Sequence, residues 1–230
     1  MQEVLDLGRH GVHLSRTAGL WTAIKIVTSV ADGSGTAEIG ADRVKPLIPE
    51  FEWKGKPYRA RANGRLGGAP ANSIEEEIYE ARLPLALKYG ADNDLNRITI
   101  NPRDAWFGIL ASGRVYHEIL SAAQELGLSP RDLHEHGIRM LQMSMPFPFD
   151  KAIVRQFAQG LQEIMVVEEK RPFMENMVRE ALYGMPNQPL VTGKRDPDDA
   201  VLVKSYGSLD TDALVEPLRR IGAKIDYAGN

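Results

Sequence analysis

Beyond residue 96, short apolar runs of strand length alternate with segments whose apolar residues recur at helical spacing. The predicted strands are AWFGILASG, GIRMLQM, EIMVVEEK and PLVTGKRD, and the predicted helices are RVYHEILSAAQELG, FDKAIVRQFAQG, RPFMENMVREALYG and LDTDALVEPLRRIG. Repeated strand–helix units of this kind form a mainly parallel sheet that is covered on both faces. The pattern therefore predicts a three-layer α/β sandwich for residues 96–230.

The beginning of the chain differs, because apolar residues recur at helical spacing with no strand before them. Gly8, Gly11 and Gly19 interrupt this pattern and predict two short helices, which a flexible turn at residues 32–35 ends. An amphipathic helix needs an apolar partner. We therefore expect residues 1–35 to be the helical tail of a preceding domain.

Proline and glycine are frequent between residues 36 and 72, which predicts a linker with few long regular elements. TAEI at residues 36–39 is a candidate short strand, and Phe51, Trp53 and Tyr58 alternate with polar residues as in a β arm. The prolines and glycines of the linker are Pro46, Pro49, Pro57, Pro70, Gly55, Gly64, Gly67 and Gly68.

A helix is predicted after this linker. Asn72 and Ser73 are capping residues, glutamates occupy the first turn, and apolar residues recur on one face as far as Gly90. Pro84 lies inside the pattern and predicts a kink or a split. Residues 36–95 are thus expected to form a linker and a helix ahead of the α/β domain.

Composition and charge exclude several classes of protein. Lysine and arginine number 28 against 31 aspartates and glutamates, a balance that favours neither nucleic acid nor an anionic membrane as a partner. The sequence has no apolar run of the roughly 18 residues that a membrane span needs and no signal-peptide pattern, so we expect a cytoplasmic protein. Cysteine is absent, which excludes disulfides and cysteine-bound zinc or iron–sulfur centres in this chain.

Ser112 and Gly113 fall where a predicted strand becomes a helix, and Arg114 begins that helix. Exposed backbone amides at a helix N-terminus attract anions such as phosphate or carboxylate. A helix cap at Ser112 and a tight turn at Gly113 explain the same residues without a ligand. The sequence leaves both interpretations open.

Glu168, Glu169 and Lys170 end a predicted central strand, at the edge where an open α/β sheet receives ligands and partner domains. Adjacent acids beside a lysine and an arginine are expected to be ionised and exposed, and exposed ion pairs add only about 0–1 kcal/mol of stability. We therefore expect polar contacts with another domain or subunit and no proton transfer. Replacement of both glutamates by glutamine is expected to leave the melting temperature nearly unchanged.

Two further motifs have structural explanations. Met145 belongs to a methionine series that runs into MPFPFD, which core packing explains, with a domain interface as the functional alternative. His134 and His136 flank Glu135 in a predicted loop, and without a third metal ligand a solvated loop explains them. The sequence therefore predicts no catalytic residue and no metal site.

The chain resembles the indolepyruvate ferredoxin oxidoreductases, thiamine-dependent enzymes that act on 2-oxoacids. Three strings carry the resemblance: QEVLDLGRHGVHLSRTAGLWTAIKIV, GILASGRVYHEIL and MPFPFDKAIVRQFAQGLQEIMVVEEKRPFMENMVRE. The resemblance implies that residues 1–35 end a pyrimidine-binding domain and that residues 96–230 form a domain of transketolase C-terminal type. Such enzymes decarboxylate a 2-oxoacid on thiamine diphosphate, pass electrons through iron–sulfur clusters to ferredoxin, and release the acyl group to coenzyme A.

The resemblance also implies that thiamine diphosphate, magnesium and the clusters belong to the full-length enzyme and that none binds this chain. The family's GDG motif has only Ala31-Asp32-Gly33 as its nearest counterpart, and cluster-binding cysteines are absent. We therefore expect a non-catalytic middle segment that contributes contacts with other domains or subunits of the same enzyme. The alternative is a free-standing α/β module that binds an anionic small molecule at Ser112 and Gly113.

Overall fold

The computed structural model describes residues 2–62 and 67–228, so Gly64 of the predicted linker lies outside the described residues. The chain divides into two compact units, Met1–Leu95 and Asn96–Asn230. The assignment of residues 1–35 to a preceding domain stays a prediction. Within the described ranges, none of the helices combines the length and the apolar composition of a membrane-crossing segment.

The first unit contains helices and a two-stranded antiparallel arm. The arm confirms the predicted β arm, and the ring of Tyr58 packs edge-on against the rings of Phe51 and Trp53. The elements of this unit are α1 Gln2–Ala18, α2 Thr28–Ala31, β1 Glu52–Trp53, β2 Lys56–Pro57, α3 Ala69–Glu77, a π-helical turn Ile78–Arg82 and α4 Leu83–Asp92.

Residues 1–35 contain two helices as predicted, α1 and the four-residue α2, but the predicted interruption at Gly8 and Gly11 is wrong, because α1 is continuous. Gly8 and Gly11 lie inside it, because an internal glycine costs a helix only about 1 kcal/mol and packing of α1 on α4 offsets that cost. Gly19, with a φ of +67°, ends the helix in the left-handed conformation that glycine adopts readily. Trp21 consequently lies outside the helix and is fully exposed.

The candidate strand TAEI is also wrong, because residues 36–39 belong to no strand. The backbone N–H of Glu38 donates to the side chain of Gln2 in α1 at 2.8 Å. The amide of Glu38 thus bonds to a side-chain oxygen, whereas in a strand it would bond to the backbone of a neighbouring strand.

Pro84 splits its helix as predicted, through the π-helical turn that precedes it. The N–H of Leu83 donates to the carbonyl of Ile78, five residues earlier. Proline has no N–H, and in a regular α-helix its ring crowds the carbonyl four residues before it, so a wider turn accommodates it. The predicted cap at Asn72 and Ser73 is wrong, because α3 already begins at Ala69 with a proline in its first turn.

Arg82 is buried and joins three segments of the first unit. Its guanidinium donates to the carbonyls of Gly19 at 2.8 Å and Arg61 at 3.0 Å, and to the carboxylate of Glu77 at 3.0 Å. The hydroxyl of Tyr58 donates to the same carboxylate, and burial together with that contact raises the pKa of Tyr58 to about 12. The end of α1 and the linker are thereby fixed to the α3–α4 helix.

Tyr89 in α4 is fully buried, and its hydroxyl lies 3.1 Å from Nδ1 of His10. Burial raises the pKa of Tyr89 from 10.0 to about 12. Between these values the unfolded chain loses a proton that the folded chain keeps, so the free energy of unfolding falls as the pH rises. We expect Tyr89→Phe to reduce this fall by about 1 kcal/mol at pH 11, where the unfolded tyrosine is one unit above its pKa.

The measurement is urea denaturation at pH 9 and pH 11, which separates the pH dependence from the loss of the hydroxyl itself. Tyr79→Phe, at an exposed position, is the control and should retain the wild-type pH dependence. A Tyr89→Phe variant that loses as much stability as the wild type between the two pH values would contradict the assignment.

The second unit is a three-layer α/β sandwich with a mainly parallel sheet, which confirms the predicted fold class. Its strand order is β3-β5-β4-β6-β7, with β3 antiparallel to β5 and the other pairs parallel. The elements are β3 Asn96–Ile100, β4 Phe107–Ser112, α5 Arg114–Glu125, α6 Pro130–Glu135, β5 Ile138–Met143, α7 Lys151–Ala158, β6 Glu163–Val167, α8 Phe173–Leu182, β7 Leu190–Thr192 and α9 Thr211–Ala228.

Each face of the sheet has its own apolar core. On β6, Met165 and Val167 belong to the core that includes α5 and α9. Ile164 and Val166 belong to the core that includes α7 and α8. Because both faces are covered, the strand is apolar at successive positions, and this is why the sequence showed continuous apolar runs.

Helix α6 was predicted as a loop, and that prediction is wrong. Ser129 caps the helix in a reciprocal capping box with Asp132, and Pro130 occupies the first turn. His134 and Glu135 therefore lie in the last turn of α6, and His136 follows it. The string Ser-Pro-Arg-Asp was a sufficient sequence signal for this start.

Candidate functional site

The path of the chain through the sheet changes direction around β4. From β4 the chain passes to β5 on one side, and from β5 it crosses to β6 on the other side of β4. Open α/β sheets bind ligands outside the carboxyl ends of their strands at such a change. The loops after β4 and β6 therefore form the candidate site, above the paired residues Ala111 and Val167.

Ser112 ends β4 and Gly113 begins the turn into α5. The cap residue of α5 is Gly113, whose φ of +56° favours glycine, so the predicted tight turn is confirmed. The predicted cap at Ser112 is wrong, because strand alternation places Ser112 on the face of Leu110, opposite to α5. Arg114 donates from Nε to Glu118 at 2.8 Å. Anion binding at this turn stays a prediction.

Met145 is buried beyond the end of β5, and Asn96 holds its backbone. Oδ1 of Asn96 accepts the N–H of Met145 at 2.9 Å, and Nδ2 donates to the carbonyl of Met145 at 3.2 Å. Met140 and Met143 are buried as well. Core packing accounts for this methionine series, and an interface role for Met145 stays a prediction.

Glu168 is buried, with 7% of its surface exposed, so the prediction of an exposed carboxylate is wrong. Its two oxygens accept the backbone N–H groups of Met174 and Glu175, each at 2.9 Å. Both amides belong to the first turn of α8, whose cap residue Pro172 offers no side-chain acceptor. Glu168, the first residue after β6, therefore caps α8, with its carboxylate at the positive end of the helix.

Glu175 is a second buried carboxylate at this edge. It accepts the backbone N–H of Lys194 at 2.9 Å and a guanidinium N–H of Arg179 at 2.8 Å. Gly193 lies directly against it, because a Cβ at this position would overlap the carboxylate and lie 3.0 Å from the carbonyl oxygen of Val166. The segment after β7 therefore needs glycine to approach α8 this closely.

Lys194 places a buried ammonium group between the loops after β6 and β7. Its Nζ donates to the backbone carbonyl of Glu168 and to that of Lys204 at 3.3 Å. Burial lowers the pKa of Lys194, and the nearby carboxylates of Glu168 and Glu175 oppose that shift. The side chain thus joins two segments of the unit through their backbones.

Glu169 and Lys170 contact the segment that precedes α9. Glu169 accepts the backbone N–H of Leu209 at 3.2 Å, and Nζ of Lys170 donates to the carbonyl of Gly207 at 2.5 Å. Lys170 has a φ of +61°, a conformation that costs a non-glycine residue of order 1 kcal/mol. Both side chains hold parts of the same unit together, and contacts with another domain or subunit stay a prediction.

The described residues contain no cluster of side chains suited to bind a metal ion. Among residues 2–62 and 67–228, no three histidine, aspartate or glutamate side chains are placed to hold a metal ion. His134, Glu135 and His136 accordingly form no such group with other described residues.

A family model described as the indolepyruvate oxidoreductase domain matches residues 97–227, which is more than half of the chain. The chain belongs to the indolepyruvate oxidoreductase domain family. The predicted family is thereby confirmed, and the matched region coincides with the second unit apart from its ends.

Relatives of this indolepyruvate oxidoreductase domain include two proteins named indolepyruvate oxidoreductase subunit IorA. Those of Methanothermobacter thermautotrophicus and Methanothermobacter marburgensis are each 27% identical, over 77% and 89% of this chain. The chain covers 26% and 30% of their lengths, so it spans less than a third of either relative. A solved 2-oxoglutarate:ferredoxin oxidoreductase from Magnetococcus marinus is 14% identical, with a TM-score of 0.42 over 81% of this chain and 28% of that chain.

Three residues of the indolepyruvate oxidoreductase domain escaped prediction from the sequence: Glu175, Gly193 and Lys194. The sequence did contain a local signal for the capping role of Glu168. Helix α8 follows Pro172 without a serine, threonine, aspartate or asparagine cap, so its first amides needed an acceptor from elsewhere. Strand alternation places Glu168 on the face where α8 packs. The contact between Gly193 and Glu175 had no local signal, since tertiary packing brings the two together.

Proposed function

We propose that this chain is a non-catalytic middle segment of an indolepyruvate or related 2-oxoacid:ferredoxin oxidoreductase. The complete enzyme decarboxylates a 2-oxoacid oxidatively, transfers the acyl group to coenzyme A and passes electrons to ferredoxin. The part of this chain is to shape contacts between the domains and subunits of that enzyme.

The observation that carries this proposal is the use of both buried carboxylates at the carboxyl edge as acceptors for backbone amides. Glu168 caps α8, and Glu175 binds the backbone of Lys194. A general acid or base must lie within hydrogen-bond reach of a substrate proton. Because these two groups bind buried main-chain groups of their own unit, a structural role fits them better than proton transfer.

The side chains of this chain do not fit the cofactors of such an enzyme. Iron–sulfur clusters are bound mainly by cysteine thiolates, and the sequence contains no cysteine. Asp32 and Gly33, which resemble part of a thiamine motif, follow the four-residue helix α2 and are exposed. The proposal therefore assigns thiamine diphosphate, magnesium and the clusters to other segments or subunits.

The relatives support a multi-subunit assembly. Both are named as subunits of an indolepyruvate oxidoreductase, and each is more than three times as long as the part this chain matches. We infer that the partners of this chain are the remaining domains and subunits of the same enzyme, with ferredoxin and coenzyme A as partners of the whole.

The proposal is tested on the natural full-length protein, purified anaerobically through a tag at its chromosomal gene. We expect this protein to reduce a viologen dye when indolepyruvate and coenzyme A are both present. The 230-residue chain on its own should produce no turnover, because it lacks the ligands for the redox cofactors.

Two outcomes would count against the proposal in different ways. Turnover by the 230-residue chain alone would refute its non-catalytic role. A full-length protein that folds and carries its cofactors but reduces no dye with any 2-oxoacid would refute the assigned activity.

A further inference from the structure

Two segments at the carboxyl edge of the sheet form one surface, the basic aromatic patch. It is made of residues 170–173, which follow β6 and end at the first residue of α8, and residues 204–208, which lie between β7 and α9. Nζ of Lys170 donates to the carbonyl of Gly207 at 2.5 Å. The buried ammonium group of Lys194 donates to the backbone carbonyls of Glu168, near the first segment, and Lys204, in the second. The hydrogen bonds of the unit itself therefore hold the two segments side by side.

The patch carries three cations, Lys170, Arg171 and Lys204, and no carboxylate. Arg171 and Lys204 are exposed, and within the described residues neither side chain makes a hydrogen bond or an ion pair. The neighbouring carboxylates of Glu168 and Glu169 accept backbone amides of the same unit. Asp210, which flanks the patch, accepts the backbone N–H of Ala213 at 3.1 Å. Within the described residues, none of these three carboxylates forms an ion pair with Arg171 or Lys204.

Two aromatic side chains accompany these cations. Phe173 is 50% exposed and Tyr206 is 72% exposed. A single exposed aromatic residue needs no explanation. Phenylalanine, tyrosine and arginine together are the residue types enriched at protein–protein interfaces, where buried aromatic and arginine side chains contribute most of the binding energy.

We propose that the basic aromatic patch docks an acidic surface of another subunit of the same enzyme. Charge complementarity selects this occupant, because three cations without carboxylates among them attract a surface that carries carboxylates. The exposed rings of Phe173 and Tyr206 supply an apolar anchor within the contact. This inference rests on the proposed function, which provides the second subunit.

The experiment compares two double variants of the full-length protein, Arg171→Glu with Lys204→Glu, and Phe173→Ala with Tyr206→Ala. Neither pair removes a side-chain hydrogen bond described within the unit, so the melting temperatures should remain close to wild type. Surface plasmon resonance against the purified partner subunit should show an affinity loss of about tenfold or more for each pair. Arg103→Glu, an exposed position before β4 at the opposite edge, is the control and should bind normally.

The salt dependence gives a second readout. Wild-type affinity should fall as the salt concentration rises, and the charge-reversed variant should lose most of that dependence. If both double variants bind the partner like Arg103→Glu, the inference is refuted. It is equally refuted if subunit affinity is unchanged while the Michaelis constant for coenzyme A rises, because the patch would then bind a small anion.

Failure of this inference is distinguishable from failure of the proposed function. A full-length protein that carries its cofactors but reduces no dye with any 2-oxoacid would refute the proposed function, and the inference with it. A wild-type complex that the patch variants leave intact would refute the inference alone.

Discussion

Glu168→Ala is expected to lower the free energy of unfolding of the second unit by about 3 kcal/mol. The substitution removes the acceptor of two buried backbone amides, those of Met174 and Glu175. Each buried amide that loses its partner costs about 1–3 kcal/mol, and loss of a helix cap costs about 1 kcal/mol. Pro172 has no side-chain acceptor that could replace the lost carboxylate.

Urea denaturation followed by the fluorescence of Trp106 measures this loss, in a background where Trp21 and Trp53 are replaced by phenylalanine. Trp106 then reports on the second unit alone. The matched control is Glu180→Ala, because Glu180 lies on the same helix in an exposed ion pair with Lys151 and should contribute about 0–1 kcal/mol. Equal losses in the two alanine variants would contradict the capping role.

Glu168→Gln refines the same test. An amide side chain retains one acceptor oxygen, so one of the two helix amides keeps its hydrogen bond. We expect a loss of about 1–2 kcal/mol, between the wild type and the alanine variant. From the sequence alone we expected almost no change, because adjacent charged residues usually lie in solvent.

The fold of the second unit was predictable because its signals are local and repeated. A parallel strand that is buried on both faces is apolar at successive positions, as in Ile164–Val167 of β6, and the covering helices are amphipathic. Short apolar runs of strand length are easily distinguished from apolar residues at helical spacing, so each segment could be assigned to a strand or a helix. The antiparallel strand β3 was outside this alternation, and its pairing with β5 emerged only from the structure.

The errors came from places where tertiary contacts override local preference. Gly8 and Gly11 weaken α1 in isolation, yet packing on α4 keeps the helix continuous. Glu168 looks solvated in the sequence because the amides that it caps come from the next helix, and the start of that helix could be located only to within a residue or two. The charge pattern located the carboxyl end of β6, whereas the role of each charge depended on packing.

Gly193→Ala is expected to destabilise the second unit by about 2–3 kcal/mol. The added Cβ would overlap the carboxylate of Glu175 and would also lie 3.0 Å from the carbonyl oxygen of Val166. Neither neighbour can move freely, because Glu175 binds the backbone N–H of Lys194 and Val166 is part of β6. Gly8→Ala is the control in the first unit, where the added Cβ meets no atom within 4 Å and should stabilise α1 by about 0.5–1 kcal/mol.

A double-mutant cycle with Glu175→Ala assigns the cause of this loss. Removal of the carboxylate opens space for the new methyl group, so Gly193→Ala should cost at least about 1 kcal/mol less in the Glu175→Ala background than in the wild type. Part of the cost should remain, because the carbonyl of Val166 is still 3.0 Å from the new Cβ. Urea denaturation of the wild type, both single variants and the double variant gives the coupling energy. Strictly additive losses would show that Glu175 does not limit the space at Gly193, and the close approach of the segment after β7 to α8 would then need another explanation.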